Sequence, residues 1–201
     1  MTGLCDGADP PEVVACFDRD WTVSVNPPPD GEAVPLSWVK AYAHGNGYGR
    51  VDVWATGNQR LRGEAAIPGV ETARAMRADL GLPEVESRAS DPAGIAPVNR
   101  GLPTRRDRLR MVAELYEESG RPETTLLVVD DVDLSDMDGW THYTAWEFVP
   151  AAREGSAPLS APETDFTDTP VHENPDEPPV EPTAFDPREQ DSSDPGTTGG
   201  T

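Results

Sequence analysis

Two carboxylates stand two residues apart directly after a run of apolar residues near the start of the chain. The run is Val13–Phe17, and it leads into Asp18 and Asp20, with Thr22 two positions further on. A carboxylate can attack a phosphoryl group and form an aspartyl-phosphate, and a second carboxyl can protonate a leaving oxygen or activate water. Alone, an acidic pair is better explained as a solvated turn in a chain with 37 acidic residues. The apolar run before it and the threonine after it shift the balance towards a reactive site.

Three short apolar runs, each followed by a polar residue, predict three buried strands of a parallel sheet. They are Val13–Phe17, Val51–Ala55 and Thr125–Val129. Helices are predicted at residues 37–44, 69–80 and 106–119, and a last strand is predicted at His142–Val149. The alternation of strands and helices predicts an α/β fold with a mostly parallel sheet flanked by helices.

The polar residues at the three strand ends are expected to meet. In open parallel sheets, ligands bind beyond the carboxyl ends of the strands. Asp18, Thr56 and Asp131 each follow one of the predicted strands. We therefore expect their side chains to converge in one crevice.

Residues 18–23, with the sequence DRDWTV, resemble the first signature of the haloacid dehalogenase superfamily. Members of that superfamily have a Rossmann-like sheet flanked by helices. The resemblance implies that Asp18 is the nucleophile and that Asp20 is the general acid and base. It also implies a Mg²⁺-dependent phosphohydrolase.

Thr56 resembles the second motif of the same family, a threonine or serine at the end of a strand. The resemblance implies that its hydroxyl, with the amides of Gly57 and Asn58, holds a phosphate oxygen, as backbone N–H groups near a helix start do well. Taken without the first motif, the segment is typical of an ordinary strand-to-loop turn.

The third motif of the family is a cation, usually lysine, at the start of the helix before the last motif strand. Lys40 is the only lysine of the chain and lies too early. The candidates are Arg105, Arg106 and Arg108, and the position of Arg106 at the predicted helix start favours it as the catalytic cation. Arg105 and Arg108 are expected to bind substrate phosphate, although all three could equally form a solvated helix face.

Acidic residues after the third strand resemble the fourth motif of the family, in which carboxylates bind magnesium. The resemblance implies that Asp131 is a metal ligand, that Asp136 is a ligand or its partner, and that Asp130 lies close behind. Mg²⁺ prefers few carboxylates and retained waters, which fits these residues together with Asp18 and the backbone carbonyl of Asp20. A calcium loop of the EF-hand type is disfavoured because its glycine and its spacing are absent.

The gaps between the motifs leave no room for a helical cap domain, so an open site of the cap-poor phosphatase type is expected. The implied partner is a phosphorylated substrate, small or macromolecular, and a nucleic-acid end is one candidate. The alternative is a non-catalytic phosphate-binding or scaffold relative of the same fold whose acidic tail recruits partners. The sequence does not indicate an oligomeric state.

The charge of the chain is strongly negative. Its net charge is −21, and arginine replaces lysine at all basic positions but one. Such a composition suits a cytoplasm with molar salt, where screening removes most of the self-repulsion, and we hypothesise a halophilic source. The alternative is an acidic protein from an ordinary cell whose tail inflates the count. Either way, the charge argues against nucleic-acid binding through the whole surface, because phosphate neutralisation needs clustered cations; a local basic patch stays open as an alternative.

A cytoplasmic location is expected from the absence of targeting signals. The first residues lack a basic segment followed by an apolar one, and no stretch approaches the roughly 18 apolar residues of a membrane span. The two cysteines do not make a disulfide framework.

The end of the chain differs in composition from the rest. Residues 151–201 contain twelve acidic residues, two basic residues and nine prolines. Such a segment cannot bury enough apolar surface to offset the loss of chain entropy. The sequence therefore predicts a phosphohydrolase domain over residues 1–150 and a disordered acidic tail over residues 151–201.

Overall fold

The protein contains one parallel sheet with helices on both faces. The computed structural model describes residues 12–45, 50–85, 103–120 and 124–171. The strands are β1 (Val13–Phe17), β2 (Val51–Ala55), β3 (Thr125–Val129) and β4 (Trp140–Tyr143). The helices are α1 (Leu36–His44), α2 (Arg60–Ala65), α3 (Val70–Asp79), α4 (Arg105–Glu118) and α5 (Ala145–Glu154). Among these helices, none has both the length and the apolar character that a bilayer span requires.

Strands β1 and β3 are the inner strands of the sheet, and all residues of β1 are buried. The four strands are parallel and lie in the order β2-β1-β3-β4. Phe17 is in register with Ala55 on one side and with Val129 on the other. The α/β class and the three predicted buried strands are thus confirmed, and the residues that follow those strands emerge side by side.

Each face of the sheet is covered by its own apolar layer. Phe17 points to the layer of α1 and α5, where its ring stacks on Tyr42 at a centroid distance of 6.3 Å. Cys16 points to the opposite layer, where Leu109 and Leu115 of α4 are buried. Because side chains alternate along a strand, a residue two positions after Cys16 continues the α4 face.

The predicted last strand, His142–Val149, is wrong from Thr144 onwards. Strand β4 ends at Tyr143, and α5 begins at Ala145. Thr144 and Glu147 form a capping box, in which the Thr144 amide donates to Glu147 Oε2 at 3.0 Å. This reciprocal cap satisfies helix-end donors, and it outweighs the alternating pattern that favoured a strand.

The predicted disorder from Ala151 onwards is wrong for residues 151–171. Residues up to Glu154 belong to α5, and residues 155–171 form a C-terminal strap that packs on the domain. Leu159 in the strap is buried, and the Tyr42 hydroxyl donates to a strap carbonyl at 3.0 Å. Residues 172–201, the rest of the predicted tail, lie outside the described residues.

The strap is held by polar groups of α1. Lys40, which is 6% exposed, donates to the carbonyl of Thr167 at 3.3 Å and to the carbonyl of Thr169. The Ser37 amide at the start of α1 donates to Asp168 Oδ1 at 2.8 Å. A buried ammonium with carbonyl partners explains why an acidic, proline-rich segment is ordered here: its backbone oxygens compensate a buried charge.

Candidate functional site

Three carboxylates meet at the carboxyl ends of β1 and β3. Ligand atoms of Asp18, Asp130 and Asp131 all lie within 4.8 Å of one another. Asp18 and Asp130 are buried. The backbone brings them together, since the Asp18 amide donates to the Val129 carbonyl at 3.0 Å and extends the pairing of the two strands by one residue.

One oxygen of Asp18 is fixed by backbone amides. Oδ1 accepts hydrogen bonds from the amide of Arg19 and from the amide of Asn58, both at 2.7 Å. Gly57 makes this approach possible, because a Cβ at that position would lie 1.7 Å from the same oxygen. The glycine is therefore required by a close backbone approach, and the predicted loop of Gly57 and Asn58 does contact the site.

The other oxygen of Asp18 is buried and accepts no hydrogen bond from any residue that the structure describes. Arg105 Nη1 lies 2.7 Å from this Oδ2, which is an ion-pair distance, but no N–H is directed along the contact. A buried carboxylate oxygen without a donor is costly unless a ligand or a charge compensates it. Among the described residues, the charge of Oδ2 is compensated by the Arg105 ion pair and not by an aligned hydrogen-bond donor.

The guanidinium of Arg105 lies among the three carboxylates. Besides Asp18, its Nη1 contacts Asp130 Oδ1 and lies 3.3 Å from Asp131 Oδ1. Burial acts to lower the pKa of Arg105, but the negative charges of the three carboxylates outweigh it and raise the pKa. Arg105 is thus a permanent internal counterion of the cluster.

The pKa values of Asp130 and Asp131 are raised. Burial is the main cause for Asp130, and the charge of Asp18 adds to it while Arg105 opposes it. For Asp131 burial again comes first, and Arg105 opposes the shift. Even with one guanidinium present, the cluster has an excess of negative charge that favours a proton or a further cation.

The start of α4 determines which arginine reaches the cluster. Thr104 caps the helix together with Asp107, whose Oδ2 accepts from the Thr104 amide at 3.1 Å. This capping box places Arg105 at the first helical position, one residue before the predicted start. Arg105 therefore faces the strand ends, and Arg106 is rotated away from them by about 100°.

Arg106, the favoured candidate for the catalytic cation, does not reach the site. Its Nη2 donates to Asp136 Oδ1 at 2.9 Å and to the Asp133 carbonyl at 3.2 Å, on the exposed surface. Asp136, the predicted partner of the metal ligand, is held in this surface pair and is not part of the acidic cluster. The hydrogen bond from Arg106 lowers the pKa of Asp136.

Arg108 contacts the Thr56 loop. Its guanidinium donates to the carbonyls of Thr56 at 2.9 Å and Gly57 at 2.6 Å, and its Nε donates to the carbonyl of Pro103 at 3.0 Å. These bonds position the loop that holds Asp18. Thr56 itself is buried, and its hydroxyl lies beside the Cys16 thiol without a well-aligned hydrogen bond.

Asp20 lies outside the carboxylate cluster and has its own hydrogen bonds. Its Oδ1 accepts from Arg19 Nη1 at 2.9 Å and from Asn26 Nδ2 at 2.8 Å, and its Oδ2 accepts from Asn58 Nδ2 at 2.7 Å. Burial acts to raise the pKa of Asp20, but these bonds together lower it. Asp20 is therefore held as a carboxylate, the form that accepts a proton.

Comparisons of the chain with protein-family models, with curated proteins and with solved structures find no match in any of the three. The functional assignment therefore depends on the contacts of Asp18 and of the residues around it.

One contributor to the site has no signal in the sequence. The guanidinium of Arg19 forms a bidentate pair with Glu64, with Nε to Oε2 at 2.8 Å and Nη2 to Oε1 at 2.8 Å. Glu64 lies in α2, far along the chain from Arg19, and Arg19 lies between Asp18 and Asp20 in the sequence. The pair fixes the direction of Arg19 and, through it, one hydrogen bond to Asp20. Only the packing of α2 against the site reveals it.

Proposed function

We propose that this domain is a Mg²⁺-dependent phosphomonoester hydrolase of the haloacid dehalogenase type, with Asp18 as nucleophile. The observation that carries the proposal is the state of the Asp18 carboxylate. One oxygen is fixed by two backbone amides. The other is buried, lies 2.7 Å from a guanidinium nitrogen and accepts no hydrogen bond within the described part of the chain. A nucleophile needs such an oriented carboxylate with one oxygen available.

The first half of the reaction forms a bond between an Asp18 oxygen and phosphorus while the bond from phosphorus to the leaving oxygen breaks. The leaving oxygen keeps the electron pair and takes a proton. Arg105 is one-third exposed, so its remaining N–H groups can contact a phosphate oxygen while Nη1 faces the carboxylates. The guanidinium thereby lowers the repulsion between the Asp18 carboxylate and the phosphate.

The second half releases phosphate. Water attacks phosphorus, the bond from phosphorus to Asp18 breaks, and inorganic phosphate and the free carboxylate are formed. Asp20 is held as a carboxylate and suits the proton transfer from that water. The same carboxyl returns this proton to the next leaving oxygen. Because hydrogen bonds lower its pKa, leaving groups that need a proton are expected to react best at acidic pH.

The residues present fit a magnesium ion. Three carboxylates with ligand atoms within 4.8 Å of one another offer the oxygen ligands that Mg²⁺ prefers. Asp18 Oδ2 is buried and accepts no hydrogen bond from the described residues. Asp18, Asp130 and Asp131 would hold the ion, which would neutralise charge on the carboxylates and on the phosphate. Arg105 Nη1 contacts the same three residues, so it competes with a bound cation for them.

The decisive experiment measures phosphate release from p-nitrophenyl phosphate in molar KCl, with and without Mg²⁺. We expect Asp18→Asn to lower the rate at least about 1,000-fold, as loss of a covalent nucleophile does. Asp131→Asn and Asp136→Asn form a matched pair, since only the first residue belongs to the buried cluster. The first variant should lose Mg²⁺-dependent activity and the second should keep it. Equal, metal-independent rates for the parent and Asp18→Asn would remove the enzyme proposal and leave the non-catalytic alternative.

A further inference from the structure

A cavity of about 600 Å³ opens next to the acidic cluster. Its lining consists of two tryptophans, two prolines, a glycine and two aspartates: Trp21, Pro28, Pro29, Asp30, Gly31, Asp131 and Trp146. Asp131 is shared with the cluster, so a phosphate at Asp18 and a group in the cavity can belong to one molecule. The other lining residues have no part in the chemistry proposed above.

The loop before α1 places the side chain of Trp21 in the lining of this cavity. Trp21, the residue after Asp20, has a φ of 54°, which is uncommon for a bulky side chain. Its amide donates to the Asn26 carbonyl at 2.8 Å, and this bond holds the unusual conformation. Backbone strain of this kind persists where the surroundings impose it, and it clusters at functional sites.

Gly31 brings the same loop against the second tryptophan. It has a φ of +104°, and an added Cβ would lie 3.1 Å from Trp146 Cβ. Trp146, on α5, is nevertheless 42% exposed. A large aromatic side chain that packs on a backbone and still faces the cavity offers its ring to a ligand.

The lining selects for a particular kind of leaving group. Indole and proline faces favour a flat ring, and base-to-aromatic stacking is a common source of affinity. The carboxylates of Asp30 and Asp131 can only accept hydrogen bonds when ionised, so they favour ring N–H and amino donors and repel additional phosphates. A volume of about 600 Å³ accommodates a nucleoside, whereas a small ammonium headgroup would leave most of it unfilled.

We propose that this cavity binds, as the leaving group, a nucleoside whose base carries ring N–H or amino donors, which makes the corresponding nucleoside monophosphate the substrate. This inference rests on the proposed function, because it assigns the group that departs from the phosphate at Asp18. Trp21 and Trp146 contact the base, and Asp30 accepts hydrogen bonds from it. They determine specificity and take no part in bond breaking.

The first test compares kcat/KM for guanosine monophosphate and for ribose 5-phosphate, which lacks the base. The parent should prefer the nucleotide by roughly 10- to 100-fold, the range that stacking of one base supplies. Trp146→Ala and Trp21→Asn should remove the preference, measured as the ratio of the two kcat/KM values, while Trp146→Phe should retain most of it. Leu80→Ala, which removes an exposed apolar side chain away from the cavity, is the control and should keep the preference.

The second test separates the cavity from the catalysis. Guanosine binding to Asp18→Asn, measured by titration calorimetry, should be detectable and should be lost with Trp146→Ala. Binding without phosphate release from any ester would refute the proposed function and leave the nucleoside site standing. Phosphate release with no guanosine binding, equal kcat/KM with and without the base, or a preference for phosphocholine would overturn the nucleoside site.

Discussion

Replacement of Arg105 by methionine tests the charge balance of the site directly. The variant keeps most of the apolar stem of the side chain and removes the guanidinium that contacts Asp18, Asp130 and Asp131. The Asp18 and Asp130 side chains are 0% and 2% exposed. Without Arg105, these two buried carboxylates lose the charged group that compensates them.

The expected cost follows from burial. Removal of one partner from a buried ion pair typically costs about 3–5 kcal/mol. Arg105 is itself 33% exposed, and protonation of Asp130 can relieve part of the repulsion, so we expect about 3 kcal/mol of unfolding free energy to be lost at pH 7.

The unfolding free energy that Arg105→Met loses should increase as pH rises. Burial, together with neighbouring negative charge, raises the pKa of Asp130, and burial likewise raises that of Asp131. The folded protein therefore holds these protons more tightly than the unfolded chain, and stability declines as pH rises above about 4 and through the raised pKa values. Arg105 opposes both shifts, so Arg105→Met should make this decline steeper. At about pH 4 and below, the variant should approach the parent.

Urea unfolding followed by tryptophan fluorescence, at one fixed KCl concentration, measures these differences. Arg106→Met is the matched control, because Arg106 pairs with Asp136, which is 67% exposed, and surface pairs of this kind contribute little to stability. Millimolar Mg²⁺ should stabilise Arg105→Met more than the parent, since a ligand that binds only the folded state adds to its stability.

Two results would refute this reasoning. Equal stability of Arg105→Met and Arg106→Met at pH 7 without metal would mean that the guanidinium is not the counterion of the three carboxylates. An equal gain from Mg²⁺ in the parent and in Arg105→Met would mean that Arg105 and the cation do not compete.

Three further substitutions test the surroundings of the site. Gly57→Ala places a Cβ 1.7 Å from Asp18 Oδ1; the loop must shift, so phosphate release should fall sharply and thermal unfolding should report a loss of about 1–3 kcal/mol. Lys40→Met leaves two strap carbonyls without their donor; we expect faster limited proteolysis within residues 155–171, and an unchanged cleavage rate would contradict the strap contact. Tyr116→Phe removes the hydroxyl that donates to Asp52 at 2.7 Å; urea unfolding should show a loss of about 1–3 kcal/mol, and no loss would mean that the pair is solvated.

The strands that carry the site could be predicted from the sequence, because their signal is local. Val13–Phe17 is a continuous apolar run, and Val51–Ala55 and Thr125–Val129 are apolar apart from Asp52 and Thr125, a pattern typical of strands buried on both faces. Once the sheet is parallel, the residues after these strands share one edge. The convergence of Asp18 with Asp130 and Asp131 follows from that geometry.

Residues whose role depends on helix phase could not be predicted in the same way. Arg105 and Arg106 are adjacent and identical in type, and a difference of one residue turns a side chain by about 100°. The Thr104 capping box decides that Arg105 reaches the carboxylates and Arg106 the surface. Likewise, Asp131 is the second residue after the strand, whereas Asp136 lies far enough along the loop to pair with Arg106.

The amino-acid sequence by itself determined the buried strands, their parallel arrangement and the carboxylates at their ends, since apolar patterning acts over a few residues. The tertiary structure alone decided the contacts between distant segments. It placed Glu64 on Arg19, the strap carbonyls on Lys40, and Trp21 and Trp146 around one cavity. Such contacts depend on how whole elements pack, and that packing is a property of the complete core and not of any local stretch of chain.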